Sequence, residues 1–158
     1  MCFSHLQLGT ALLPFDWYVL GYCITHSSCD WKLELMDCEL ESVKTFLDTL
    51  YLQQDRRLLL SMGHIKQLVF QRFDPAALHL LATNIPQMAV FHNLTHLCLR
   101  DCQLTSRRCD LLCRHKDLIQ HLLYLNLFMN PIGRGGAVNL ITSLAKFSTL
   151  SSLGCYGS

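Results

Sequence analysis

The sequence of 158 residues lacks both a strong net charge and a long apolar run. Its 13 Lys and Arg residues nearly balance its 12 Asp and Glu residues, and a formal charge of +1 gives no electrostatic footprint for nucleic acid or an anionic membrane. No run of about eighteen apolar residues is present, and no positively charged segment precedes the short apolar part of the N-terminus. We therefore expect a cytoplasmic protein that binds neither nucleic acid nor membrane.

The common motifs of nucleotide sites and disulfide frameworks are also missing. No G-x-x-x-x-G-K-[ST] is present, and the segment Gly133 to Gly136 lacks the Lys and the hydroxyl that bind phosphate and magnesium, so we interpret it as a turn that opens a helix. The nine cysteines are an odd number in a chain without a signal peptide. We interpret them as reduced thiols.

Two alternatives concern the cysteines. One alternative is a zinc site formed by Cys98, Cys102, Cys109, Cys113 and His115. Their spacing is not the paired C-x-x-C that binds structural zinc, and the repeat described below places these cysteines on different faces. Cys98 also lies two residues from His96, but one face of a flat strand supplies neither an orienting third group nor oxyanion donors. We expect no enzyme activity, no cofactor and no bound metal.

What the sequence does contain is an internal repeat. The pattern L-x-x-L-x-L-x-x-N/C-x-L is filled by Leu94, Leu97, Leu99, Cys102 and Leu104, and again 28 residues later by Leu122, Leu125, Leu127, Asn130 and Ile132. Partial copies include Ile65, Leu68, Phe70 and Phe73 in an earlier unit, Leu33, Leu35, Cys38 and Leu40 before that, and Leu150 and Leu153 in the last. Such a period indicates a leucine-rich repeat.

Each repeat unit predicts one short strand followed by one helix. The L-x-L core predicts a strand with its leucines on the buried face, and the N/C position lies where the chain turns away from that strand. Helical spacing then places apolar residues on one face after two of these turns: Val43, Phe46, Leu47 and Leu50, and Ala137, Leu140, Ile141 and Leu144. In the helix after Leu104, Lys116 occupies an apolar position, so we expect it to snorkel or the helix register to slip.

The predicted fold class is α/β, a leucine-rich-repeat solenoid with a short parallel concave sheet and convex helices. Residues 1–29 form an N-terminal helical cap in which Trp17, Leu20 and Tyr18 cover the first strand, and residues 30–158 form about four and a half units. The sequence stops at Ser158, inside the fifth unit. We therefore expect a fragment, or a chain whose uncapped C-terminal edge self-associates.

Strand residues that alternate with the leucines are predicted to line the concave face. One column across the units is rich in side chains that anchor protein interfaces, and it comprises Met36, Gln71, Arg100, Phe128 and Tyr156. The candidate protein-binding residues on this face are Met36, Gln71, Arg72, His96, Arg100, Asp101, Tyr124, Asn126, Phe128 and Tyr156.

The repeat resembles the ribonuclease-inhibitor-like class of leucine-rich repeats. The segment FDWYVLGYCITHSSCDWKLELMDCELES, Phe15 to Ser42, is similar to the stretch that opens the repeat region of NACHT–LRR (NOD-like) innate immune receptors. The resemblance covers residues 15–158 and implies a right-handed superhelix that senses a ligand or keeps a neighbouring nucleotide-binding domain inactive.

We therefore expect a non-catalytic interaction module whose partner is another protein or a neighbouring domain of its parent chain. An enzyme regulator of the ribonuclease-inhibitor or Ran-GTPase-activating type is the alternative, since it shares the scaffold. An inhibitor of a basic enzyme needs a strongly acidic concave face, and the predicted face is mixed in sign.

Overall fold

Six parallel strands form one sheet, in the order in which they occur in the chain. The computed structural model describes residues 3–8, 12, 14–52, 64–146 and 150–154. The strands are β1 Phe3–Leu8, β2 Asp30–Met36, β3 His64–Gln71, β4 His96–Arg100, β5 Tyr124–Asn126 and β6 Ser152–Gly154. The helices are α1 Pro14–Thr25, α2 Leu40–Leu52, α3 Ala77–Asn84, α4 Ser106–Arg114, α5 Lys116–Ile119 and α6 Gly133–Leu144. The prediction of an α/β structure with a parallel sheet is confirmed.

The repeat positions lie side by side in the sheet. Leu97 pairs with Leu68 on one neighbouring strand and with Leu125 on the other, and Leu125 pairs in turn with Leu153. In this row, Leu68 on β3, Leu97 on β4 and Leu125 on β5 are almost fully buried. Burying one such side chain contributes roughly 1.5–3 kcal/mol, so this row is a principal source of stability.

Successive helices pack side by side and close the core on one face of the sheet. All four apolar residues predicted to line α2 are buried: Val43, Phe46, Leu47 and Leu50. In α1, Trp17 and Leu20 are buried as predicted, and the Trp17 ring packs on Phe46 with ring centroids 5.3 Å apart. Tyr18 is instead exposed, because it lies on the side of α1 that faces away from α2.

Of two predictions about the later helices, one is wrong and one is confirmed. In α6, Ile141 is 55% exposed and Gly136 is buried in its place. A Cβ added to Gly136 would lie 2.8 Å from the Ser106 backbone, which is too close for any residue other than glycine. The glycine therefore lets α6 approach α4 closely and turns Ile141 outward. The predicted register slip at Lys116 is confirmed, since the helix breaks at His115 (ψ 71°) and Leu118 fills the core from a new short helix.

The N-terminal segment contains a strand that the predicted helical cap did not include. β1 pairs in parallel with β2, with Phe3 beside Asp30, Leu6 beside Leu33 and Leu8 beside Leu35. These residues fill the first three positions of the repeat pattern, F-x-x-L-x-L. The sheet therefore begins one unit earlier than the boundary at residue 30.

The N/C position of the repeat closes the turn with an amide at Asn130 and with a thiol at Cys38 and Cys102. Asn130 is buried and its amide bonds four buried backbone groups, three of them in the preceding unit. At the same position one unit earlier, the thiol of Cys102 donates to the Arg100 carbonyl at 3.1 Å.

None of the helices in the described part of the chain is long and apolar enough to cross a membrane.

Candidate functional site

Among the described residues the helices pack on one face of the sheet, and the other, open face holds the predicted binding residues that the structure describes. Strand side chains alternate, so the leucines point to the helices and the residues between them point away. We define the open face by the outward residues of β2 to β5 and of the turns that follow them: Lys32, Glu34, Met36, Asp37, Gln67, Val69, Gln71, Arg72, His96, Cys98, Arg100, Asp101, Tyr124, Asn126, Phe128 and Met129.

The predicted column is continuous through four units. Met36 pairs with Gln71, and Gln71 pairs with Arg100. The backbone N–H of Asp101 donates to the Phe128 carbonyl at 3.0 Å, which places Phe128 next to Arg100. The fifth member of the column, Tyr156, lies outside the described residues.

Arg100 and Phe128 form the centre of the open face. The Arg100 guanidinium carbon lies 5.9 Å from the centroid of the Phe128 ring, which is a cation–π distance. Its Nη2 also donates to the sulfur of Met129 at 3.6 Å. Phe128 is 38% exposed and Met129 is 47% exposed, so both keep apolar surface for a partner.

A second aromatic pair lies beside this centre. The rings of His96 and Tyr124 stack with centroids 5.6 Å apart. Asn126 donates from Nδ2 to the Tyr124 hydroxyl at 3.0 Å, and its Oδ1 accepts the backbone N–H of Phe128 at 2.8 Å. Gly154 places no side chain over Asn126. These contacts hold the rings of His96 and Tyr124 and the backbone of Phe128 in place.

The turns after β2, β3, β4 and β5 add a second column, at backbone positions with positive φ. Asp37, Arg72, Asp101 and Met129 have φ between 51° and 59°, which is uncommon for residues other than glycine. Arg72 binds Asp37 through both fork nitrogens, Nε to Oδ1 at 2.6 Å and Nη2 to Oδ2 at 2.9 Å. The hydrogen bond from Arg72 lowers the pKa of Asp37 below its ordinary value.

Ion pairs occupy the part of the open face nearest β1. Lys32 contacts Glu34 at 2.6 Å, and His5 lies 3.4 Å from the same carboxylate. Lys66 contacts Asp30 at 2.7 Å. The candidate list omitted these residues and Asp37. Lys32 and Glu34 lie on the same strand, whereas the partners of His5, Lys66 and Asp37 come from other units and only the strand register brings them together.

The cysteines do not form a reactive or metal-binding group in the described residues. Cys98 lies half-buried on the open face, and burial raises the pKa of its thiol. Cys102 and Cys109 point into the core, and no three His, Cys, Asp or Glu side chains of the described chain converge as metal ligands.

A separate apolar cleft of about 520 Å³ lies between β1 and the outer side of α1. Its lining includes residues that are partly exposed: Leu6, Leu8, Leu12, Phe15, Val19 and Cys23. Sequence reasoning missed this cleft because it did not predict β1.

Comparison with known proteins found no family model and no curated protein that matches the sequence. The resemblance to NACHT–LRR receptors therefore depends on the repeat residues and on the segment Phe15 to Ser42. The described part of the open face presents exposed aromatic groups and ion pairs.

Proposed function

We propose that this chain is a non-catalytic, cytoplasmic protein-interaction module of the leucine-rich-repeat type. In this proposal the sheet and helices form a solenoid whose concave side is the open face. The parallel strands in chain order, the row of paired leucines and the buried Asn130 support it. The free thiols of the described cysteines suit a reducing compartment.

The observation that carries the proposal is the contact between Arg100 and Phe128. These two residues come from different units and form an exposed, prearranged pair at the centre of the open face. Arg, aromatic residues and Met are enriched at protein interfaces, and all three kinds meet here. The mechanism is surface complementarity between this face and another protein, or a neighbouring domain of a parent chain.

The more specific proposal is that the module belongs to a NOD-like innate immune receptor, where it senses a ligand or restrains the receptor. This proposal predicts that the gene encodes a P-loop nucleotide-binding domain before the repeats. A finished transcript without such a domain would contradict the receptor assignment and leave the interaction module itself standing.

An affinity purification with matched variants tests the interaction proposal. The open-face variant carries Arg100→Glu and Phe128→Ala, and the control carries Arg107→Glu and Tyr51→Ala, an equal change of charge and aromatic area at exposed positions on α4 and α2. We expect the control to retain the partners of the wild type and the open-face variant to lose them. Identical partner lists for all three proteins would remove the open face from consideration.

A further inference from the structure

Arg100 differs from the other cationic side chains of the sheet in having no carboxylate partner among the described residues. In the described residues, four Lys or Arg side chains lie on strands or directly after them, and three of these bind carboxylates: Lys32, Lys66 and Arg72. Arg100 forms no ion pair in the same part of the chain. Its side-chain hydrogen bond goes to a thioether, which is a weak acceptor.

The strand register explains why Arg100 remains unpaired. The neighbours of Arg100 in its own column are Gln71 and Phe128, and both are neutral. In the adjacent column, the pKa of Arg72 is raised mainly by its hydrogen bond with Asp37, and the charge of Asp101 adds a smaller effect in the same direction. The guanidinium of Arg100 therefore keeps hydrogen-bond donors that the described residues do not use.

We infer that the open face takes an acidic protein segment, in which an Asp or Glu carboxylate binds Arg100 and an adjacent apolar side chain packs on Phe128 and Met129. The inference rests on the proposed function and specifies the chemistry of its partner. Asp37 and Arg72, one unit away, show the bidentate geometry that a carboxylate adopts at this sheet.

The surroundings of Arg100 favour this partner over other anions. One exposed Arg on a nearly neutral chain is a poor site for nucleic acid, which needs several cations along a backbone. The cation–π contact holds the guanidinium beside exposed apolar surface of Phe128 and Met129. A partner contacts both the guanidinium and this apolar surface only when a carboxylate and an apolar side chain lie close together in its sequence.

Two displayed peptide libraries provide the test. The second library is identical to the first except that Asn and Gln replace Asp and Glu, and both are selected against the full immobilised chain. We expect binders from the first library only. Equal yields from the two libraries, including no binders from either, would overturn the inference.

Synthetic versions of the selected peptides then separate this inference from the proposed function. We expect Arg100→Glu to weaken binding about tenfold or more, and replacing the peptide carboxylate with an amide to cause no further loss in that variant. The matched charge reversal Arg107→Glu on α4 should leave affinity unchanged, and circular dichroism confirms that each variant is folded. Peptides that lose affinity for Phe128→Ala but not for Arg100→Glu would refute the binding of a carboxylate at Arg100, while the open face would still stand as the interaction surface. Peptides whose affinity changes with neither variant would refute both the carboxylate inference and the proposed role of the open face.

Discussion

The side-chain oxygen of Asn130 accepts a hydrogen bond of 2.8 Å from the backbone N–H of Cys102, the residue at the equivalent position of the preceding unit. The same oxygen accepts the N–H of Leu104, and the amide nitrogen donates to the carbonyls of Leu99 and Leu127. One buried amide therefore satisfies backbone groups of two successive turns. It fixes the distance between the units that carry Arg100 and Phe128.

Replacing Asn130 with Ala should destabilise the protein by about 3 kcal/mol or more, because four buried backbone groups lose their partner. Asn139→Ala is the matched control, since Asn139 is exposed on α6 and bonds only Asp110 among the described residues. Its effect should stay within about 0.5 kcal/mol. Urea unfolding followed by circular dichroism measures both, and equal effects would show that the amide does not hold the turns together.

Leu125 is fully buried between its paired leucines, so Leu125→Ala should cost about 2–5 kcal/mol. Leu125→Asp should abolish cooperative unfolding of the central units, because it buries a charge without a partner. Leu52→Ala, at a side chain that is 79% exposed, is the control and should have little effect. Unchanged cooperative melting of the Asp variant would refute the packing of this row.

The pair of Asp37 and Arg72 predicts a dependence on pH. The hydrogen bond from Arg72 lowers the pKa of folded Asp37 below its ordinary value of 3.8. The pair therefore adds stability above pH 3.8, and this contribution is lost as the pH falls through the lowered pKa. The effect should be small, because both side chains are partly exposed.

A titration of the Asp37 carboxyl by nuclear magnetic resonance checks this directly. The pKa of Asp37 should rise toward its ordinary value in Arg72→Gln and stay lowered in Arg107→Gln. A pKa that does not respond to Arg72→Gln would mean that the pair is not formed in solution.

The thiols should differ in reactivity according to their burial. Burial raises the pKa of Cys38 to about 11 and that of Cys102 to about 12, so both stay protonated and unreactive at neutral pH. Cys23 is exposed and should react first with iodoacetamide. Mass spectrometry of labelled peptides should show Cys38 and Cys102 modified only after denaturant is added, and rapid native labelling of Cys102 would contradict its place in the core.

The sequence predicted the inner units of the fold well because their leucines serve both the repeat pattern and the core. Leu97, Leu99, Leu125 and Leu127 are buried as expected. β1 was missed because Phe3, Leu6 and Leu8 match the pattern without a clear Asn or Cys after them. Ile141 was wrongly placed in the core, because helical spacing does not reveal that Gly136 lets α6 rotate against Ser106.

The columns of residues on the open face were predictable, because the alternation of side chains along each strand follows from the repeat. The pairing of charges across the columns was not, because it depends on which units are neighbours and on the break in register between Trp31 and Lys32. The sequence also gives no sign that Arg72 has a carboxylate partner while Arg100 has none. Only the register separates these two arginines.

The central claim is that successive units stack in parallel and bring Arg100 beside Phe128. Nuclear Overhauser contacts across the strands of a deuterated, amide-protonated sample test it most directly. The account predicts parallel-strand contacts that join the segment around Leu97 and Cys98 to the segment around Leu125 and Asn126 in the stated register. Antiparallel contacts between these segments, or none at all, would contradict it.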